Sequence, residues 1–246
     1  MVSDVPKSHP RYLSLSLRDQ IVKGVELGIT SVHGLIAHGR GEAYDYLLCE
    51  KTHSFAIKAI QAAAVMLKDA LHPVISVNGN VAALVPDNLI ELSKLLKAPL
   101  EVNIFHTEDG REQRICDYLL DNGALNVLMP TKEAQLNFID SNRRFVNPEG
   151  IYKSDVVFVP LEDGDRCEAL IRMGKRVITI DLNPLSRTSK QASITIVDNV
   201  VRALPILCNE IRSIEDKSDH QELITEYNND KVLQSALHHI SRGVDG

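Results

Sequence analysis

From His72 onward the chain alternates short apolar runs with amphipathic stretches, and this rhythm limits the possible folds more than any other feature. The runs at 73–77, 100–105, 126–129, 155–159, 176–180 and 193–197 are rich in β-branched residues, and polar residues follow several of them. Continuous apolar runs of this length read as strands buried on both faces. Between them, residues 88–96, 111–120, 166–173 and 199–211 read as helices. Strand and helix in alternation predict an α/β fold: a mostly parallel sheet with helices on both faces.

Ahead of this core, residues 1–72 read as an added helical N-terminal region. An amphipathic stretch at 13–27 breaks at Gly28 and resumes near Ser31, and a long helix is expected over 42–71. That helix carries Ala56, Ala59, Ala62, Ala63 and Ala64, strong helix formers whose small side chains admit a close neighbour. The alanine face reads as core, with a dimer seam as the other reading. Residues 131–148 lack periodicity and are expected to form an irregular excursion. After Ser213 a charged spacer leads to a last helix ending near Ile240. The expected organisation is a helical region (1–72) packed on a core (73–213) with a helical extension (214–246), all in one structural unit.

Composition removes several classes of function. A net charge of −6 argues against a nucleic-acid binder, which needs clustered Lys and Arg. No apolar run approaches the roughly 18–20 residues of a membrane span, and the first residues lack the apolar core of a signal peptide. Cys49, Cys116, Cys167 and Cys208 lie far apart without metal-ligand spacing, which suits free thiols in a reducing cytoplasm. The helix–Gly28–helix segment over 18–40 looks superficially like a helix-turn-helix, but its second helix has only Arg40 at its end and no basic face. A regulator with an α/β effector domain is therefore one rival reading, and a non-catalytic nucleotide sensor is another.

Ligands of open α/β sheets bind outside the carboxyl ends of the strands. The richest such loop is Asp181-Leu182-Asn183-Pro184-Leu185-Ser186-Arg187-Thr188. There Asp181 can accept from sugar hydroxyls and Arg187 can fork onto phosphate oxygens. Other strand ends carry Asn78-Gly79-Asn80, His106-Thr107-Glu108-Asp109, Glu162-Asp163-Gly164-Asp165 and Asp198-Asn199. Helix caps and turns are the ordinary reading of such residues. The acidic run has two readings, a solvated turn or a Mg²⁺ position. His38-Gly39-Arg40-Gly41-Glu42 reads as a tight turn that opens the long helix and presents Arg40 to an anion, with Arg11 and Arg18 as further phosphate partners. The GxGxxG, GxxxxGK[ST] and GxSxG motifs are all absent.

Six blocks together resemble one family, the archaeal 4-phosphopantoate–β-alanine ligases (phosphopantothenate synthetases). They are PKSHPRY from Pro6, GLIAHGRGEAYDYLL from Gly34, HPVISVNGNVAALVP from His72, GIYKSDVVFVPLEDGDRCEAL from Gly150, DLNPLSRTS from Asp181 and ITIVDNVVRALP from Ile194. The resemblance implies a Rossmann-like fold with added helices, a homodimer, and ATP-driven condensation of 4-phosphopantoate with β-alanine, with Mg²⁺ expected. It also implies ATP contacts at Arg18, Arg40, Asp181, Leu182, Asn183, Arg187, Thr188, Asp198 and Asn199. It carries no assignment for the other two substrates. Asn78 and Asn80 are read here as contacts to 4-phosphopantoate or β-alanine, Arg40 as a catalytic phosphate clamp and His38 as a general base.

Overall fold

The computed structural model describes residues 5–105, 110–214 and 221–243. The polar cluster at 106–109 and most of the charged spacer, residues 215–220, lie outside them. Three helices come first: α1 (Tyr12–Glu26), α2 (Val32–Leu47) and α3 (Ser54–Lys68). Then follow β1 (Pro73–Val77), α4 (Gly79–Leu84), α5 (Pro86–Leu96), β2 (Leu100–Val102), α6 (Arg111–Asp121) and β3 (Val127–Leu128). A small antiparallel pair, β4 (Thr131–Gln135) and β5 (Phe145–Val146), precedes β6 (Val156–Phe158) and α7 (Gly164–Arg172). The chain continues through β7 (Arg176–Ile180), α8 (Arg187–Gln191), β8 (Ile194–Ile196), α9 (Val200–Ser213), α10 (Gln221–Glu226) and α11 (Asn229–Arg242).

The main sheet is parallel, in the order β3-β2-β1-β6-β7-β8. This is the doubly wound Rossmann order, in which the chain reverses direction across the sheet between its first and fourth strands. Here the reversal lies between β1 and β6, where Val74 pairs with Val157 and Ile75 with Phe158. Alternation along each strand feeds two cores. Ile75, Val77, Phe158, Ile178 and Ile180 join the larger core with α1, α3, α5 and α9. Val74, Val157, Val159 and Val177 join a smaller one with α7 and the β4–β5 excursion. The alanines of α3 are at most 1% exposed, and α3 packs on α9, so that face is core.

The structure corrects the N-terminal reading at one point. Instead of one helix over 42–71, α2 ends and α3 begins afresh, because Cys49 (φ 58°) and Glu50 (φ 52°) both adopt left-handed backbone. The link is pinned: Thr52 Oγ1 donates to Asp198 Oδ2 at 2.6 Å, and the His53 ring lies 2.8 Å from the Leu48 carbonyl. The residues 38–42 consequently lie inside α2, whose N-cap is Ser31, rather than at a helix start. Arg40 cannot borrow a helix N-terminus for anion binding. It reaches the sheet from the side of a helix.

Candidate active site

Three cavities meet at the carboxyl edge of the sheet, beneath α2. The first, about 380 Å³, spans the switch point and is walled by Thr30, Gly34, Asn80, Arg111, Arg143 and Asp163 among others. The second, about 320 Å³, lies between the ends of β6 and β7 and is lined by Arg40, Gly41, Tyr44, Glu162, Asp163 and the 181–188 loop. A third, about 120 Å³, holds His38, Asn78, Asn80, Leu182 and Asn199. Ala37 of α2 and Leu161 of the β6 loop wall all three. Leu161 is left-handed (φ 57°), a conformation that costs a bulky L-residue roughly 1–2 kcal/mol.

The 181–188 loop is built from its own hydrogen bonds. Asp181 Oδ1 accepts from the Asn183 N–H at 2.9 Å, and its Oδ2 accepts from the Ser186 hydroxyl. Asn183 Oδ1 accepts from the Leu185 N–H at 2.9 Å. Burial pushes the Asp181 carboxyl upward, opposed by those hydrogen bonds and by the charge of Arg40. Ser186 caps α8, and the buried Thr188 donates its hydroxyl to the Glu162 carbonyl at 2.8 Å. Arg187 lies at the mouth of the second cavity with one weak tether, Glu168 at 3.1 Å. Arg40 is exposed and forms no ion pair among the described residues. Arg40 and Arg187 therefore bring two arginines from opposite halves of the chain to one cavity.

Other predicted residues are placed differently. Arg18 pairs with Glu42 at 2.9 Å and does not line these cavities. Asp198 is 1% exposed and already accepts from Thr52, the Asn199 N–H and Arg202. Asn199 caps α9 and donates to Asp45 at 2.7 Å, so this pair ties α2 to α9 while Asn199 still faces the third cavity. Asn78 caps α4 and spans the switch point, donating to the carbonyls of Pro160 and Leu161. Asn80 donates to the Gly34 carbonyl at 2.9 Å and accepts from Thr30. His38 has a buried Nε2 without a hydrogen-bond partner; burial lowers its pKa below 6.5, against the pull of Glu42.

The acidic run after β6 divides sharply. Glu162 is buried between Arg143 (2.5 Å) and Arg166, which hold its carboxyl below the usual range although burial alone would raise it. It is thus unavailable to a metal. Asp163 pairs with Arg143 at 2.5 Å but keeps 56% of its side chain exposed, and burial raises its pKa. Among the described residues no group of three or more His, Cys, Asp or Glu could hold a metal ion by itself. Arg111 and Arg143 were missed from the sequence. Arg143 lies in the stretch without periodicity, and its partners Asn103, Glu162 and Asp163 are distant along the chain.

A doubly wound sheet with arginine-lined cavities along its carboxyl edge defines a Rossmann-like protein. Comparison with known proteins narrows this. Residues 55–243 match the family model described as phosphopantothenate/pantothenate synthetase. The chain is 50% identical to a 4-phosphopantoate–beta-alanine ligase of Methanosarcina mazei over 241 residues, 97% of this chain and 95% of that one. A ligase of the same name from Thermococcus onnurineus is 51% identical over 241 residues, 96% and 92% of the two chains. Another, from Methanospirillum hungatei, is 44% identical over 239 residues, 96% of each. The chain belongs to the phosphopantothenate/pantothenate synthetase family.

Proposed function

We propose that the protein is an ATP-dependent ligase that joins (R)-4-phosphopantoate to β-alanine, giving 4′-phosphopantothenate, AMP and diphosphate through an acyl-adenylate, in coenzyme A biosynthesis. The observation that carries this reading is the convergence of Arg40 and Arg187 on one cavity that shares its Ala37–Leu161 wall with a second arginine-lined cavity. Two phosphorylated substrates can then meet at one boundary.

In the first step a carboxylate oxygen of phosphopantoate attacks the α-phosphorus of ATP, and the bond to the β,γ-diphosphate breaks. Negative charge grows on the phosphate oxygens, and Arg40 and Arg187 stabilise it in a cavity partly shielded from water. Asp181 and Asn183, which line this cavity and keep lone pairs beyond those their turn uses, would accept from ribose hydroxyls. Mg²⁺ suits this donor set only as an ion carried mainly by phosphate oxygens and water, with Asp163 or Asp181 as its protein carboxylate, where it would neutralise phosphate charge.

In the second step the β-alanine amine attacks the acyl carbon and AMP leaves with the former carboxylate oxygen. The amine must shed a proton. His38, which lines the third cavity and whose pKa burial lowers, would take it as a neutral imidazole. We further propose that the protein works as a homodimer, which light scattering would test.

Mixing ATP, 4-phosphopantoate and β-alanine with the protein should yield AMP and diphosphate in step with the amide. A sensor or regulator would bind nucleotide and release neither, and that result would refute the ligase reading.

A further inference from the structure

Glu101 of β2 is fully buried and takes no part in the two steps above. Each of its oxygens accepts a backbone N–H from one turn: Oε1 from Asn147 at 2.9 Å and Oε2 from Ile151 at 2.6 Å. The chain makes room for it with Gly150, where a Cβ would lie 2.0 Å from Oε2. Asn103, two residues on, continues the same face of the strand. Its side-chain amide donates to the Phe145 carbonyl at 3.2 Å, and its Oδ1 accepts from Arg143 Nε at 3.1 Å. Two side chains from one strand therefore hold the segment 143–151 at both ends. Arg143 carries that hold to the site, because it pairs with Glu162 and Asp163, which line the second cavity.

We propose that Glu101 is a positioning residue: its paired grip on the 147–151 turn holds Arg143, and with it the Glu162–Asp163 wall of the second cavity, in place for the reaction. The effect on turnover rests on the ligase reading above; the grip itself does not. A carboxylate offers only acceptors, so a proton on Glu101 sets an O–H against one of the two N–H groups and breaks the paired grip. Burial pushes this carboxyl up to about 7, against the pull of the two N–H groups and of the charges of Arg166 and Lys175. Its neighbours in register, Ser76 on β1 and Leu128 on β3, are uncharged. The helices α5 and α6 cover the opposite face of β2, through Leu100 and Val102. In and beside the turn, the exposed Glu149 and Lys153 pair with each other at 3.0 Å, and Glu162 is taken up by Arg143 and Arg166. The grip is therefore complete above about pH 7 and loosens below it.

The test is an NMR pH titration of the unaltered full chain, which needs no turnover. The backbone N–H signals of Asn147 and Ile151 and the Nε–H signal of Arg143 should move together, with a midpoint near pH 7. In Glu101→Gln all three should stay flat across that range. Gly150→Ala, which drives a methyl group against Oε2, should disturb the same three signals. Both variants should lower kcat by about tenfold or more. They should also lose the part of the kcat profile centred near pH 7, while the limb set by His38 at lower pH remains. Should neither variant fold, the titration of the unaltered chain decides alone. An Arg143 signal that stays still while the turn titrates, a turn that does not titrate, or variants with unaltered kcat would each overturn the proposal. Failure of the unaltered protein to form phosphopantothenate would bring down the ligase reading instead, and the titration would still report on the grip.

Discussion

Asn78 donates its side-chain amide to the carbonyls of both Pro160 and Leu161, at 3.1 Å each, and so ties the end of β1 to the loop after β6. Leu161 is the left-handed residue that walls all three cavities. The same Asn78 side chain accepts from the Val81 N–H at 3.1 Å and caps α4. Asn78→Ala removes all three bonds at once. The expected loss is about 1–3 kcal/mol of stability, measured by urea denaturation, with a fall in kcat as Leu161 relaxes. Unchanged kcat would mean that the Leu161 wall does not organise the site.

Arg40→Ala should lower kcat/KM for ATP by about 10²–10³-fold, and the more tethered, more peripheral Arg187→Ala by about 10–100-fold. Neither side chain supports the core, so thermal unfolding should shift by no more than about 0.5 kcal/mol. Steady-state kinetics with ATP varied would check both effects.

His38 gives the activity a direction with pH. Burial places its pKa below 6.5, so the imidazole is neutral and able to accept a proton well above that value. kcat should fall as pH drops through the depressed pKa, and His38→Gln should flatten that acid limb. Stability follows the same sign. The unfolded chain protonates this histidine first, so folding weakens as pH falls from 6.5 toward the folded pKa. A kcat profile unchanged in His38→Gln would remove the residue from the mechanism.

Gly39 lies inside α2, and a Cβ there would meet nothing within 4 Å. Gly39→Ala should raise stability by about 0.5–1 kcal/mol and leave activity intact, as a thermal melt and an assay would show. A loss of stability would point to a partner surface against that helix.

The sheet was legible because its strands are continuous apolar runs, and the loop of Asp181 and Arg187 was legible because it begins where one of them stops. The break between α2 and α3 was not, since Cys49 and Glu50 rather than glycine take the left-handed turn. Conversely, Gly39 and Gly41 signalled a turn where the chain is helical; a Cβ at Gly41 would make only an ordinary contact with Leu182. Arg143 was beyond local pattern altogether. Its meaning lies in Asn103, Glu162 and Asp163, which only the folded chain assembles. That Asp198 is held by Arg202, and Asn199 by Asp45, was hidden for the same reason.

The most direct measurement is oxygen transfer from 4-phosphopantoate labelled with ¹⁸O in its carboxylate. One labelled oxygen per turnover should appear in AMP, as carboxylate attack on the α-phosphorus requires. Label found in inorganic phosphate, with ADP as the other product, would contradict the account.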